Sequence, residues 1–397
     1  MSGPLQSLAV SRTLWLVVAP PLVAFVWQLA TGLRRAGVAN DPWPRRIAVG
    51  AILVASAATL GHALGLAQAP EGTQALVEYT VGGARLGALE AGFGLVFDRL
   101  SGTASSLSCA VALGVAALIA SRGVDRRRWQ VWAWLELSLA GALLSFLADG
   151  FATTLLGWGL AVSAAAWLAG WSDPRAGAVR ATRGALAIVA MLVGDALLLR
   201  GFYTTLALAA FLVASVAMSA SPPPPGAPLA LSALDCGATT GVLGPFLLLR
   251  LAFLVPRSPG AAWMVAVVVG AWLVLIGRRA LAAPAGPWRW IVLAGGAPAA
   301  LVLVALSVDG VQGGLLVLVS AGLVSALLLG VAGARLSPPS PAPRGPSVER
   351  ALLEHAPEAG APLLMAFERW VVDAITGSVG VLVRALAWTL ARFDAHV

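Results

Sequence analysis

The feature that most constrains this chain is a run of uncharged, apolar residues about 20 long, repeated along its length. One example is "FATTLLGWGLAVSAAAWLAGW" at 151–171, which carries no charge. A bilayer core needs about 20 apolar residues per helix, and only helices and closed barrels satisfy their backbone groups in lipid. Such runs occupy roughly 13–32, 48–68, 101–121, 131–149, 151–171, 184–199, 202–220, 229–255, 260–282, 288–306 and 312–334, with a last helix near 368–392. They are continuous, whereas barrel strands alternate apolar and polar residues. Of the 397 residues, 59% are hydrophobic and 11% are charged, against about 25% charged in soluble domains. The expectation is an all-α polytopic membrane protein, a bundle of about 11–12 transmembrane helices. A polar loop rather than a small-residue cleavage site follows the first run, so that run is expected to be retained.

The formal net charge is +8, and the sequence contains arginine but no lysine. The arginines sit between runs and fix orientation, which displaces a nucleic-acid reading. Arg34, Arg35, Arg45 and Arg46 follow span one; Arg122, Arg126, Arg127 and Arg128 follow span three; Arg175, Arg180 and Arg183 follow span five. Arg278, Arg279 and Arg289 follow span nine, and Arg335, Arg344 and Arg350 follow span eleven. The loops between are poorer in arginine or balanced by acids, as in Glu71, Glu78, Arg85, Glu90, Asp98 and Arg99. The positive-inside rule then places the N-terminus outside and, with an even number of spans, the C-terminus outside too. Cys109 and Cys236 lie in apolar runs, and His62, His355 and His396 are scattered, so neither a disulfide framework nor a metal site is expected.

Prolines interrupt the pattern twice. "SPPPPGAPL" at 221–229 forbids helix continuation. "LSPPSPAPRGPSVER" at 336–350 reads as a stiff polyproline-type linker. The expected organisation is a transmembrane bundle over 1–335, the linker over 336–350, and a C-terminal helix over 351–397 that either spans or lies along the bundle surface.

Charges inside a membrane are costly and usually functional. Four acids fall in or at the ends of spans: Glu136, Asp149, Asp195 and Asp235. Asp149, in "ADGF", is good turn chemistry. Asp195 sits mid-run in "AMLVGDALLLRG", where a helix–helix hydrogen bond would account for it. Glu136, in "WAWLELSL", divides evenly between interface and core. Asp235 opens an apolar run, where helix N-terminal stabilisation accounts for it. All four are also candidates for a proton path.

The order of several segments resembles the large antiporter-like membrane subunit of respiratory complex I (NADH-quinone oxidoreductase), its L-type chain or subunit 5. "GLVFDRLSGTASSL" is similar to the segment entering that family's third helix, and "WAWLELSLAGALLSFLADGFATTLLGWGL" to its fourth and fifth helices. "ALAIVAMLVGDALLL" resembles its Val-Gly-Asp helix. "ASVAMSASPPPPGAPLALSALDCGATTGVLGPFLLLRL" follows its Gly-Lys-Ser-Ala stretch, proline loop and Ser-Ala-Leu-Ile-His helix. "LSVDGVQGGLLVLVSAGLVSALLLGVAGARL" is similar to its histidine-containing helix, and the tail ending "RFDAHV" to the segment before its long lateral helix.

The departures are chemical. Where the resemblance implies a glutamate after Gly-Trp, this chain has Gly159; for the lysine it has Met218, and for the following histidine Cys236. The later histidine and lysine fall near Ser320 and Val324. Proton transfer needs groups that bind and release protons, and a lysine–glutamate pair tunes both partners. Glycine and methionine titrate nothing. The chain also runs almost directly from span eleven through the linker into the tail, where the family has further helices.

Three functions follow. The first is a structural, non-pumping membrane-arm subunit of a complex I-type assembly, packed against a neighbouring antiporter-like chain through small residues such as Gly157, Gly159, Ala164, Ala165 and Ala166. The second is an active proton or cation translocator using the remaining acids. The third is a membrane subunit of an inorganic-carbon uptake complex or another transporter, with the 221–229 break as a candidate site. Partners are other membrane subunits and the lipid bilayer, not nucleic acid, and the location is the bacterial inner membrane. No phosphate loop, iron–sulfur cysteine set or dinucleotide fingerprint is present, so no cofactor is expected in this chain and any redox chemistry belongs to others.

Overall fold

The structure is a computed structural model. It describes residues 7–34, 43–70, 73–86, 89–122, 129–170, 174–199, 204–218 and 239–250, with isolated positions between 263 and 274. The chain divides into two compact units, Met1–Leu336 and Ser337–Val397, and every described residue belongs to the first.

A short strand, β1 (Ser7–Val10), leads into α1 (Trp15–Arg34) and α2 (Trp43–Gln68). Two strands follow, β2 (Thr73–Leu86) and β3 (Leu89–Asp98), and then α3 (Arg99–Arg122) and α4 (Trp129–Leu147). The described chain continues through α5 (Phe151–Gly170), α6 (Pro174–Leu199), α7 (Thr204–Met218) and α8 (Thr240–Arg250). Among the described residues, five helices are long and apolar enough to cross a membrane: Trp15–Gly32, Trp43–Gln68, Arg99–Ala120, Trp129–Leu147 and Gly177–Leu198; shorter apolar helices cover Ala152–Trp167, Thr205–Ser215 and Gly241–Arg250.

Local chemistry sets the helix starts. Asp98 and Ser101 form a reciprocal cap at α3: the Ser101 amide donates to Asp98 Oδ1 at 2.7 Å, and the Asp98 amide to Ser101 Oγ at 2.8 Å. At α1 the free Leu14 amide donates to Glu78 Oε2 of β2 at 2.6 Å, placing a carboxylate at the positive end of the helix. Pro174 is the first residue of α6, where its missing N–H costs nothing. Consequently α6 starts ten residues before the apolar run at 184–199, and Arg180 and Arg183 lie on the helix rather than in the loop.

The three strands form one sheet in the order β1–β2–β3. β1 runs parallel to β2, with Leu8 opposite Ala75 and Val10 opposite Val77. β2 and β3 form an antiparallel hairpin from Ala75 opposite Asp98 to Leu86 opposite Leu89, irregular between Thr80 and Ala84. The expected bundle is helical as read; the sheet is an addition. Its segment reads as a mixed-charge loop because glycines and acids dilute a strand alternation too short to dominate. The sheet is also joined to the bundle. Leu95 bridges to Ala148 after α4, and the Asp149 amide donates to the Gly94 carbonyl at 3.0 Å.

The helices alternate in direction from this sheet. α1, α3 and α5 leave it, and α2, α4 and α6 return, so Arg34, Arg45, Arg46, Arg122, Arg180 and Arg183 all belong to the far end. That end also carries aromatics: Phe25 and Trp134 rings lie 5.8 Å apart, and Trp134 stacks on Trp167 at 4.8 Å. The apolar interior forms two cores. One joins α1–α4 and β3 through residues such as Val17, Ile52, Val115, Trp132 and Leu139. The other joins α3–α8 through Ala142, Trp158, Ala187, Phe211 and Phe246.

Candidate functional site

Helix α4 stands at the centre. Only Trp129, Gln130 and Trp134 of its 19 residues escape full burial. Glu136 is 0% exposed, and neither carboxyl oxygen has a hydrogen-bond partner among the described residues. It lies on the stripe Trp132, Leu135, Glu136, Leu139 and Leu143, whose apolar members belong to the first core. Cys109 of α3 is within electrostatic reach of it. The Thr59 hydroxyl donates to the Ala55 carbonyl at 2.8 Å, which leaves its oxygen to accept from the Cys109 thiol at 4.0 Å.

Two further groups in this region escaped the sequence reading. Gln28 of α1 is 1% exposed; its Nε2 donates to the Pro44 carbonyl at 3.2 Å, but its Oε1 has no partner. Ser105 Oγ on α3 is likewise buried without a partner. The signal was present for Gln28, an amide inside the apolar string "AFVWQLATGL".

On its opposite face α4 meets α5 at backbone distance. A Cβ added at Gly141 would come 2.5 Å from the Ala161 nitrogen and 2.9 Å from the Gly157 oxygen. A Cβ at Gly157 would collide with Ser145 Oγ. Gly159, two residues on, is different: nothing lies within 4 Å of a Cβ there. The position that resembles the family's glutamate therefore has room for a side chain and carries none.

Asp149 and Asp195 do not gather around Glu136. Asp149 is exposed in the turn between α4 and α5, with its amide committed to β3. Asp195 is partly buried on α6, beside Gly194, which packs on the Phe211 ring of α7. Met218 is the last residue of α7. Asp235, Cys236, Ser320 and Val324 lie outside the described residues. At the start of α8, Ser138 Oγ donates to Thr239 Oγ1 at 3.0 Å, and Arg250 Nη1 donates to the Phe146 carbonyl at 2.9 Å.

No protein-family model and no curated protein sequence matches this chain. Solved structures do. A chain of the membrane-bound sulfane sulfur reductase, an archaeal respiratory membrane complex, is similar over 82% of this chain and 71% of its own length, at 14% identity and a TM-score of 0.67. A chain of the Mrp complex from Dietzia sp. DQ12-45-1b is similar over 81% of this chain and 64% of its own length, at 17% identity and a TM-score of 0.65. This chain thus spans about two thirds of the second. At these identities the likeness shows the fold, a mostly helical polytopic membrane bundle found in chains of membrane complexes.

Proposed function

We propose that this chain is a structural membrane-arm subunit of an antiporter-like, complex I-type assembly, and that it moves no proton by a glutamate–lysine–histidine relay. The observation that carries this is Gly159: open space beside the α-carbon, and no titratable side chain anywhere on α5. Without that carboxyl, the path implied by the resemblance has no acid at its centre, and Met218 supplies no base to pair with one. The small-residue face of α5, with Ala164 and Ala165 buried, supports close helix packing instead. The organisation into a bundle, a 336–350 linker and a C-terminal helix belongs to the same proposal, as does an NADH-quinone oxidoreductase-type setting in which other chains hold the redox groups.

The orientation proposed from the arginines is supported by the two-ended bundle. Arg34, Arg45, Arg46, Arg122, Arg180 and Arg183 lie opposite the sheet, against Arg99 and Arg250 at the helix ends on the sheet side, and this excess supports a sheet and N-terminal strand that face outward in a bacterial inner membrane. Gentle detergent purification with subunit identification by mass tests the whole reading. Co-purifying antiporter-like membrane chains are expected; a lone monomer would sink it. In vesicles holding the purified assembly, Asp195→Asn is expected to leave proton flux unchanged. A loss of flux would transfer the conclusion to the translocator reading, with Asp195 on the path.

A further inference from the structure

We infer that Glu136 is an interior proton-holding site whose acid O–H is received by the amide oxygen of Gln28. Among the described residues five buried side-chain oxygens lack partners: both of Glu136, Gln28 Oε1, Ser105 Oγ and Thr153 Oγ1. The Glu136 and Gln28 oxygens are all acceptors when the carboxyl is ionised, whereas the two hydroxyls can donate as well as accept. A lone carboxylate shut away from water, with no hydrogen bond, is among the costliest groups a protein can bury. One guest resolves the conflict. A proton removes the charge and converts one carboxyl oxygen into a donor; Ser105 Oγ and Thr153 Oγ1 are able to donate already and make no bond to the carboxyl, which leaves Gln28 Oε1 as the acceptor in want of a donor.

The helix register supports the pairing. Gly32 of α1 packs on the Trp129 ring at the start of α4, and Phe25 meets Trp134 at 5.8 Å. The two helices therefore run antiparallel with Gln28 about one turn from the level of Glu136. A helical side chain leans toward the N-terminus of its own helix, which carries Glu136 toward the level of Gln28; the Gln28 amide gives its nitrogen to the Pro44 carbonyl at the start of α2, and its oxygen is left for a second partner. Gln28 shares the buried stripe of Leu14, Val17, Val18 and Ala24 on α1, as Glu136 shares that of Trp132 and Leu139 on α4.

Among the described residues, the surrounding charges are engaged elsewhere. From α3, Cys109 is the group in electrostatic reach, while Arg99 and Arg122 sit at the helix ends. On α2, His62 is bonded to the Thr13 carbonyl near the sheet, and Arg46 lies over the Trp43 ring at 5.9 Å at the far end. On α1, Arg34 is terminal; on α8, Arg250 is engaged with Phe146; on β3, Asp98 caps α3; α5 carries no titratable side chain. A proton held at Glu136 is compatible with either reading of the chain's flux.

Infrared difference spectroscopy of the full-length protein in lipid vesicles tests it. A protonated-carboxyl C=O band is expected, lost in Glu136→Gln and shifted to higher wavenumber in Gln28→Leu, which removes the receiving oxygen. An E136Q difference spectrum with no such band overturns the proton, and an E136Q-sensitive band that ignores Gln28→Leu overturns the pairing. Labelling by a hydrophobic carbodiimide, read at the Glu136 peptide, adds a second arm. Labelling unaffected by sodium is expected; labelling suppressed several-fold by sodium at fixed pH would make the guest a metal cation and overturn the proposal.

Discussion

The two cores of the bundle are built on different principles. The α1–α4 core is made of branched side chains, Val17, Ile52, Val115, Leu135 and Leu139 among them, and it encloses polar groups, Gln28, Thr59, Cys109 and Glu136. The α3–α8 core is made of alanines, Ala104, Ala142, Ala161, Ala187, Ala207 and Ala214, filled by a few large rings, Trp158, Phe211 and Phe246. In lipid there is little hydrophobic drive between helices, so association depends on packing and interior hydrogen bonds. The first core keeps chemistry at the expense of unpartnered atoms. The second keeps shape, with helices close enough for backbones to touch.

The comparison predicts a graded series of substitutions. The largest effect is expected for Gly157→Leu, where a side chain must displace Ser145 and the α4 backbone; overpacking of this kind costs upward of about 3 kcal/mol, and reversible unfolding in micelles would register it or show no folded species at all. Phe211→Ala removes the ring that fills the alanine core and is expected to cost about 3 kcal/mol through the cavity it leaves, measured in the same way. Glu78→Ala breaks the tie from the sheet to the start of α1; a hydrogen bond to a charged group carries about 1.5 kcal/mol, and amide exchange at Leu14 should accelerate. The smallest effect is expected for Gly159→Ala, stabilising by up to about 0.5–1 kcal/mol because alanine is the better helix former and the space is open. If Gly157→Leu and Gly159→Ala gave similar losses, the backbone-contact account of the second core would fail.

Much of the bundle was legible because lipid leaves so few options for backbone. The runs at 101–121 and 151–171 correspond closely to α3 and α5. The starts of α2 and α6 were not legible from hydropathy, because Arg45 and Arg46 in the first turn of α2 and Arg175, Arg180 and Arg183 in the first three turns of α6 interrupt the apolar pattern. Pro44 and Pro174 were the available signals. The sheet was missed because its strands carry Glu78, Arg85 and Glu90 and contain the glycine pair Gly82 and Gly83. The candidate site was half legible. The substitution at Gly159 is a sequence observation, whereas the openness beside it is not. The isolation of Glu136 was beyond reach, since a periodic pattern cannot say whether a neighbouring helix brings a donor.

The stitch between Leu95 and Ala148, with the Asp149 amide on Gly94, has a mechanical consequence. The α4–α5 corner is bound into the sheet like pages into a spine. Splaying that end requires breaking strand bonds, whereas at the opposite end the described tie is the stack of Trp134 on Trp167. Any opening of these two helices would therefore hinge on the sheet.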